Sequence, residues 1–269
     1  MVYHARVDVK VEQKRRLLAT IEWASQLRSS LQPLLDLHGE RVHFRPGSSG
    51  IAMVGLLPER PQRGKSGLRN LSALVAGFDA MFATHCRDIE QGRVTGEKGL
   101  QSFLIRESFK HARRLQPINE ASKQTDEPVE LTFVTDEISL PLADGKIVCD
   151  ILALRRDGGR STPVLLELKD DRLLSRLVEQ VEGYSILVDE HPQLFARLFG
   201  ALLGEGIRFD RPTEKWIVWP AAGVGKDPRE DELMARGIRV VSYREDGGRL
   251  SFHVGRGVPI DQRSDRAAP

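Results

Sequence analysis

The sequence predicts an α/β protein: a mixed β-sheet flanked by helices and preceded by a mainly helical amino-terminal region. Three observations lead to that class. Leu17, Leu18, Ile21, Trp23, Leu27, Leu31, Leu34 and Leu35 recur at helical spacing near the start of the chain. Between residues 130 and 169 three apolar runs follow one another: ELTFVTDEISLP, KIVCDILALRR and TPVLLELK. Beyond residue 96 the order is helix, three strands, helix, strand, helix, strand, which gives a mixed sheet and not the regular alternation of a doubly wound fold.

After a short extended start, the helical stripe runs from about Glu12 to Leu37. Gly39 to Gly67 sets an apolar piece, IAMVGLLP, among Gly, Pro, Arg and Ser, and reads as a strand or hairpin plus loop. Leu71, Leu74, Val75, Phe78, Met81 and Phe82 predict a second helix from about Leu68 to Gln91, ended by Gly92 and Gly96. GEKGLQSFLIRESFKHARRL forms an amphipathic helix before the three strands, the last two of which share a DGGR turn. Residues 172–189 and about Gln193 to Leu203 are helical. KWIVWP is a short strand, DPREDELMARG a helix closed by a glycine, and GIRVVSYR a final strand. The chain divides into a mainly helical module over 1–95, an α/β domain over 96–254 and a polar tail over 255–269, whose composition predicts disorder.

The length allows a real hydrophobic core. A formal net charge of +2 announces no polyanionic partner by itself. Residues 1–96, however, hold 14 Lys and Arg against 9 Asp and Glu, a mildly basic half that suits a binding module. No apolar run approaches the ~20 residues of a membrane span, and the first residues lack the apolar core of a secretory signal. Cys86 and Cys149 are too few and too far apart for a disulfide framework. A cytoplasmic protein without a membrane partner is expected.

The charged residues inside the apolar strands carry the chemistry. Side chains alternate along a strand, so Glu167 and Lys169 share one side while Leu166 and Leu168 take the other. Asp150 sits on the neighbouring strand, paired through the turn at Gly158 and Gly159. Unpaired charge in such strands is costly, so these groups need an ion or one another. Asp150, Glu167 and the Leu168 carbonyl offer hard oxygen ligands for Mg²⁺ or Mn²⁺. Lys169 is placed to orient a water or offset charge on a phosphate. The same three side chains can instead form a salt bridge at a strand edge. On the following helix Gln180 and Tyr184 lie four residues apart on a face that also carries Leu173, Leu177 and Leu187, and so should pack beside the carboxylates.

Asp150, Glu167-Leu168-Lys169 and Gln180-Val-Glu-Gly-Tyr184 together resemble the motif set of the PD-(D/E)XK nuclease superfamily. The phrase CDILALRRDGG…VLLELK is similar to the branch of NucS-type DNA endonucleases and related restriction-like domains, over about residues 96–245. The resemblance implies a restriction-endonuclease-like sheet in which Asp150 and Glu167 bind the metal and Lys169 positions the attacking water. Gln180 and Tyr184 would support the site or touch nucleic acid. Members often carry an acidic residue on the helix before the sheet. Glu97 matches it best, with Gln101 one turn later; Glu107 is a rival, and a helix-capping role is open to Glu97. The chain departs from the pattern at Cys149, where the family's proline would stand, and at Asp170-Asp171, where basic residues would suit DNA better.

Other signals point less far. Arg60, Arg63, Lys65 and Arg69 form a basic cluster that can touch phosphates or simply face solvent. GVGK at 223–226 and RGKS at 63–66 lack the upstream glycine of a phosphate loop. The histidines show no zinc-ligand spacing, and Trp216 and Trp219 read as core. The expectation is a Mg²⁺- or Mn²⁺-dependent nuclease acting on DNA, with RNA also open, in repair or defence against foreign DNA. Residues 1–95 would bind nucleic acid, a second copy or a partner protein. The alternative is a nuclease-fold subunit that binds without cutting.

Overall fold

The computed structural model describes residues 2–56, 64–90, 96–172, 176–222, 228–246 and 249–255. The chain opens on one long helix, α1 (Val2–His38). The stretch before Glu12, expected to be extended, continues this helix. Its alternating valines mimic a strand, but each residue added to an existing helix needs no new nucleus. Leu17, Ile21, Ala24, Leu27, Leu31 and Leu35 form the buried stripe. This stripe serves two cores. Leu17, Ile21 and Ala24 join the cluster of Val134, Leu165 and Phe199, whereas Leu27, Leu31 and Leu35 pack with Phe44, Ile51 and Phe78.

Residues 39–68, read as a strand or hairpin plus loop, hold three strands within the helical amino-terminal region. Strands β1 (Val42–Gly47), β2 (Gly50–Gly55) and β3 (Gly64–Leu68) form an antiparallel sheet in that order. The helix expected over 68–91 is two helices, α2 (Leu71–Ala76) and α3 (Phe78–Glu90). Asn70 caps the first by accepting from the Ala73 amide at 2.9 Å, and Gly77 ends it by donating to the Ala73 carbonyl. Their apolar side chains still fall on one face, which is why the sequence reads as a single helix.

Two helices, α4 (Gly96–Lys110) and α5 (Gln116–Ser122), lead to the main sheet. It contains β4 (Glu130–Leu142), β5 (Gly145–Asp157), β6 (Arg160–Leu168), β7 (Glu214–Pro220), β8 (Ile238–Asp246) and β9 (Arg249–Val254), in sequence order. β4–β5–β6 are antiparallel, β6–β7–β8 parallel and β8–β9 antiparallel, a mixed sheet. The DGGR turn joins Asp157 to Arg160 with both glycines at positive φ, the geometry that suits a two-residue hairpin. The crossover from β6 to β7 uses α6 (Leu177–Glu190) and α7 (Pro192–Leu203), and that from β7 to β8 uses α8 (Pro228–Ala235). GIRVVSYR is not the last strand: β9 pairs with it from Val241↔Val254 to Asp246↔Arg249. An edge strand needs apolar side chains on only one face, and the half-exposed RLSFHV hides the signal.

One face of the sheet packs Val164, Leu166, Leu168 and Trp216 against Leu100 and Leu104 of α4 and Ile118 of α5. The other packs Leu165, Val134 and Leu152 against α1, α6 and α7. Every residue of β6 from Thr162 to Leu168 is buried, as expected for a strand covered on both faces. Trp216 and Trp219 are fully buried, with Arg239 and Arg172 stacked over their rings. Among the described residues no helix is long and apolar enough to cross a membrane. Residues 256–269, expected to be disordered, lie outside the described residues.

Gly50, at the β1–β2 turn, has φ of +142°, and a Cβ there would sit 2.8 Å from the Leu68 carbonyl oxygen. Gly50→Ala is expected to cost about 1–3 kcal/mol through strain and the displaced backbone. Equilibrium urea unfolding measures it; a change within error would mean that the β2–β3 contact yields freely.

Candidate functional site

The site forms where β5 and β6 stop pairing. Their ladder runs from Asp157↔Arg160 to Ile151↔Leu166, and one step beyond the last pair lie Asp150 and Glu167. Asp150 Oδ2 accepts from the Leu168 amide at 2.9 Å, so its carboxylate takes the donor that the ladder no longer uses. The N–H and C=O of one strand residue face the same edge, so the Leu168 carbonyl also lies on the Asp150 side. Both carboxylates are buried, Glu167 at 2% exposure and Asp150 at 6%.

Lys169 joins the pair to α4. Its Nζ donates to Glu167 Oε1 at 3.0 Å and to Glu97 Oε2 at 3.4 Å. Gly96 makes this approach possible, because a Cβ there would lie 2.9 Å from the Asp170 Cβ. Burial and the neighbouring Asp150 push the Glu167 carboxyl well above the usual range, to about 8, against the pull of Lys169. Burial and Asp150 likewise raise Glu97. Burial disfavours the Lys169 ammonium, but Glu167, Asp150 and Glu97 overcome it and hold the lysine protonated above its ordinary value. Ionising all three carboxyls, Glu97, Asp150 and Glu167, would therefore put more negative charge here than Lys169 offsets.

The supporting residues of the expected motif act on backbone. Gln180 Nε2 donates to the Val148 carbonyl at 2.9 Å, two residues before Asp150. The buried Tyr184 hydroxyl donates to the Ile138 carbonyl at 2.9 Å. Gln101, fully buried on α4, donates to the carbonyl of Asp150 itself at 2.9 Å. These three side chains bond carbonyls of β4 and β5 around Asp150, where the β5–β6 ladder has ended.

The sequence reading missed a second group of residues. In the β4–β5 register Asp136 faces Ile151 and Ile138 faces Cys149, so Glu137 stands opposite Asp150. Glu137, Asp150 and Glu167 thus form one row across three strands, with neighbouring strands ~4.8 Å apart. Glu137 has a left-handed backbone, φ +45°, uncommon for a non-glycine residue. Its carboxylate is gripped by Arg45 of β1 and by Lys98 of α4. Lys98 Nζ also donates to Gln101 Oε1 at 2.8 Å and lies 3.7 Å from Asp150 Oδ1. Behind it Asp136 is fully buried and bound to His43 Nε2 at 2.9 Å, with Arg45 Nε at 3.5 Å. Burial works against the Asp136 and Glu137 charges, but the basic groups around them, Arg45 foremost and Lys98 with it, together outweigh burial and keep both below their usual values. Burial lowers His43 below its usual value, against the pull of Asp136. Tyr243 closes the other flank, donating to the Lys169 carbonyl at 3.3 Å.

Other expected residues lie apart. Glu107 pairs with Lys110 at 2.8 Å, away from the carboxylates. Lys65 is exposed on β3, and Arg69 donates to the Ser49 carbonyl. Arg60, Arg63, Leu173 and the GVGK segment lie outside the described residues.

Among the described residues no group of three or more His, Cys, Asp or Glu is arranged to hold a metal ion. Magnesium, which keeps much of its water, commonly takes only one or two protein carboxylates. Asp150, Glu167 and the Leu168 carbonyl fit that need: all are oxygen donors, and the raised Glu167 pKa marks negative charge that a divalent cation would relieve.

A carboxyl raised above its unfolded value contributes stability below about pH 4.3, and that contribution is lost as pH rises through the folded value near 8. Glu167→Gln should therefore melt higher than wild type at pH 8.5 in EDTA, by about 2–4 °C for each kcal/mol. The gain should shrink toward pH 5, and a wild type equally stable at both ends would contradict the buried-charge account. Tyr184→Phe should cost about 1 kcal/mol in urea unfolding through its lost hydrogen bond.

Comparison of the chain with protein-family models, curated proteins and solved structures gives no match, so its own residues and their geometry carry the functional reading.

Proposed function

We propose that this chain is a metal-dependent nuclease of restriction-endonuclease-like fold that hydrolyses DNA phosphodiester bonds. The observation that supports it is the buried pair Asp150 and Glu167 beside a protonated Lys169, at the point where two central strands part. Asp150, Glu167 and the Leu168 carbonyl would hold Mg²⁺ or Mn²⁺. The ion would supply a water of lowered pKa and positive charge against the phosphate. Lys169, as an ammonium, orients the attacking water by donating to it and offsets charge on the phosphate. Glu97 holds Lys169 from the α4 side, while Gln101, Gln180 and Tyr184 fix the strand backbones. The chemistry takes DNA or RNA alike, and a role in repair or defence against foreign DNA suits it. One site per chain calls for two copies to cut both strands, or for a partner bound through residues 1–95.

Linear, circular and single-stranded DNA, and RNA, incubated with Mg²⁺ or Mn²⁺ test the reading. Cutting should stop in EDTA and fall about 100-fold or more in Lys169→Ala and Asp150→Ala, both checked for folding by circular dichroism. Cutting that survives both substitutions would exclude this site. If nothing is cut and Mg²⁺ leaves the melting temperature unchanged, the residues are a structural ion pair.

A further inference from the structure

Beyond Glu137 the acidic row runs into a cavity of ≈ 220 Å³ between α1, the β1–β2 turn, the end of β3 and β4. Its wall includes Arg16, Arg45, Ser48, Ser49, Ser66 and Glu137. We propose that this cavity binds a backbone phosphodiester of the nucleic-acid strand whose neighbouring phosphate is held at Asp150 and Glu167; this rests on the nuclease reading above.

The size favours a single small group. At ~30 Å³ per water the cavity has room for roughly seven waters, and it falls short of the ~300–1,000 Å³ of pockets that take drug-sized ligands. Among the described residues no aromatic ring lines it, so these offer no platform for a base. What it offers is donors: two guanidinium groups, serine hydroxyls, and the main chain of a Gly-Ser-Ser-Gly turn, residues 47–50. Phosphates are held by this chemistry, which reads no sequence. Two glycines bring the turns together. Gly50 and Gly67 have φ of +142° and +80°, and a Cβ on Gly50 would come within 3.1 Å of the Gly67 carbonyl carbon.

Charge and position agree with that ligand. Glu137, the only acidic side chain of the wall among the described residues, already has both oxygens engaged, by Arg45 and by Lys98. Arg45 is anchored by Asp136 and Glu137, so its guanidinium is held in place before any ligand arrives. Arg16, on α1, is half-exposed and tied to Glu12 at 2.7 Å. Glu137 lies in both structures at once: it lines the cavity and faces Asp150 across the β4–β5 register. A strand lying along the row would therefore reach both places.

Binding is measured in EDTA, by fluorescence anisotropy of a fluorescein-labelled 20-nucleotide DNA and its duplex across a salt series. Arg16→Gln avoids the buried Arg45 network, and Ser49→Glu adds a negative charge to the exposed turn. Each should weaken binding threefold or more, and Arg16→Gln should reduce the slope of log K against log salt by about 0.7–0.9. Arg160→Gln, at the opposite end of β6 from Glu167, should leave both unchanged. Equal losses in Arg160→Gln, no loss in the cavity variants, or no binding by wild type would overturn the proposal. Stabilisation of wild type by inorganic phosphate without DNA binding would assign the cavity to a small phosphate and overturn it as well. Cleavage is scored separately: a cavity effect without cutting would uphold the site and sink the nuclease reading.

Discussion

Negative charge buried at the parting of β5 and β6 is the constraint around which the rest is arranged. Two carboxylates in an apolar sheet are costly unless something offsets them. The protein answers with Lys169, just past the end of β6, and Lys98 from α4, and even so Glu167 stays far above the usual carboxylate range. Helix α4 must therefore be positioned closely, which Gln101 ensures by bonding to the Asp150 backbone. The sheet must also hold its spacing where the ladder ends, which Gln180 and Tyr184 ensure. Removing a lysine from such a cluster leaves a buried carboxylate uncompensated, so Lys169 and Lys98 are each worth more than their own contacts.

The amino-terminal region enters the same arrangement. Strand β1 sends His43 and Arg45 to Asp136 and Glu137, 93 and 92 residues further along the chain. Helix α1 gives one half of its apolar stripe to the main sheet and the other to the small one. A chain cut at residue 95 would expose Leu165, Phe199 and their neighbours on the face that α1 covers.

The order of strands and helices from residue 96 was legible because each element buries an apolar face with its own period. Asp150, Glu167 and Lys169 were legible as charges inside apolar strands, and Gln180 with Tyr184 through their helical spacing. Lys98, Asp136, Glu137, His43 and Arg45 were not. Their meeting depends on register: β4 slips by one residue against β5 between Phe133 and Thr135. That slip decides which acidic side chain of the Asp136–Glu137 pair stands opposite Asp150, and alternation along a single strand carries no trace of it. It depends also on where a distant hairpin packs. The one trace in the sequence is an adjacent acidic pair inside an apolar strand, a signal of the same kind as Asp150 itself.

The left-handed backbone at Glu137 also bears on assembly. β4 is an edge strand, and a long regular edge is a template on which another chain can add a strand. A residue with φ of +45° interrupts the regularity of that edge, and Arg113 and Leu115 already bond its backbone at Phe133 and Leu131. The irregularity that sets an acidic group beside Asp150 thus blunts this side of the sheet against strand addition. Within the six-stranded sheet, association of two copies through continuous β-structure is left the opposite edge, at β9.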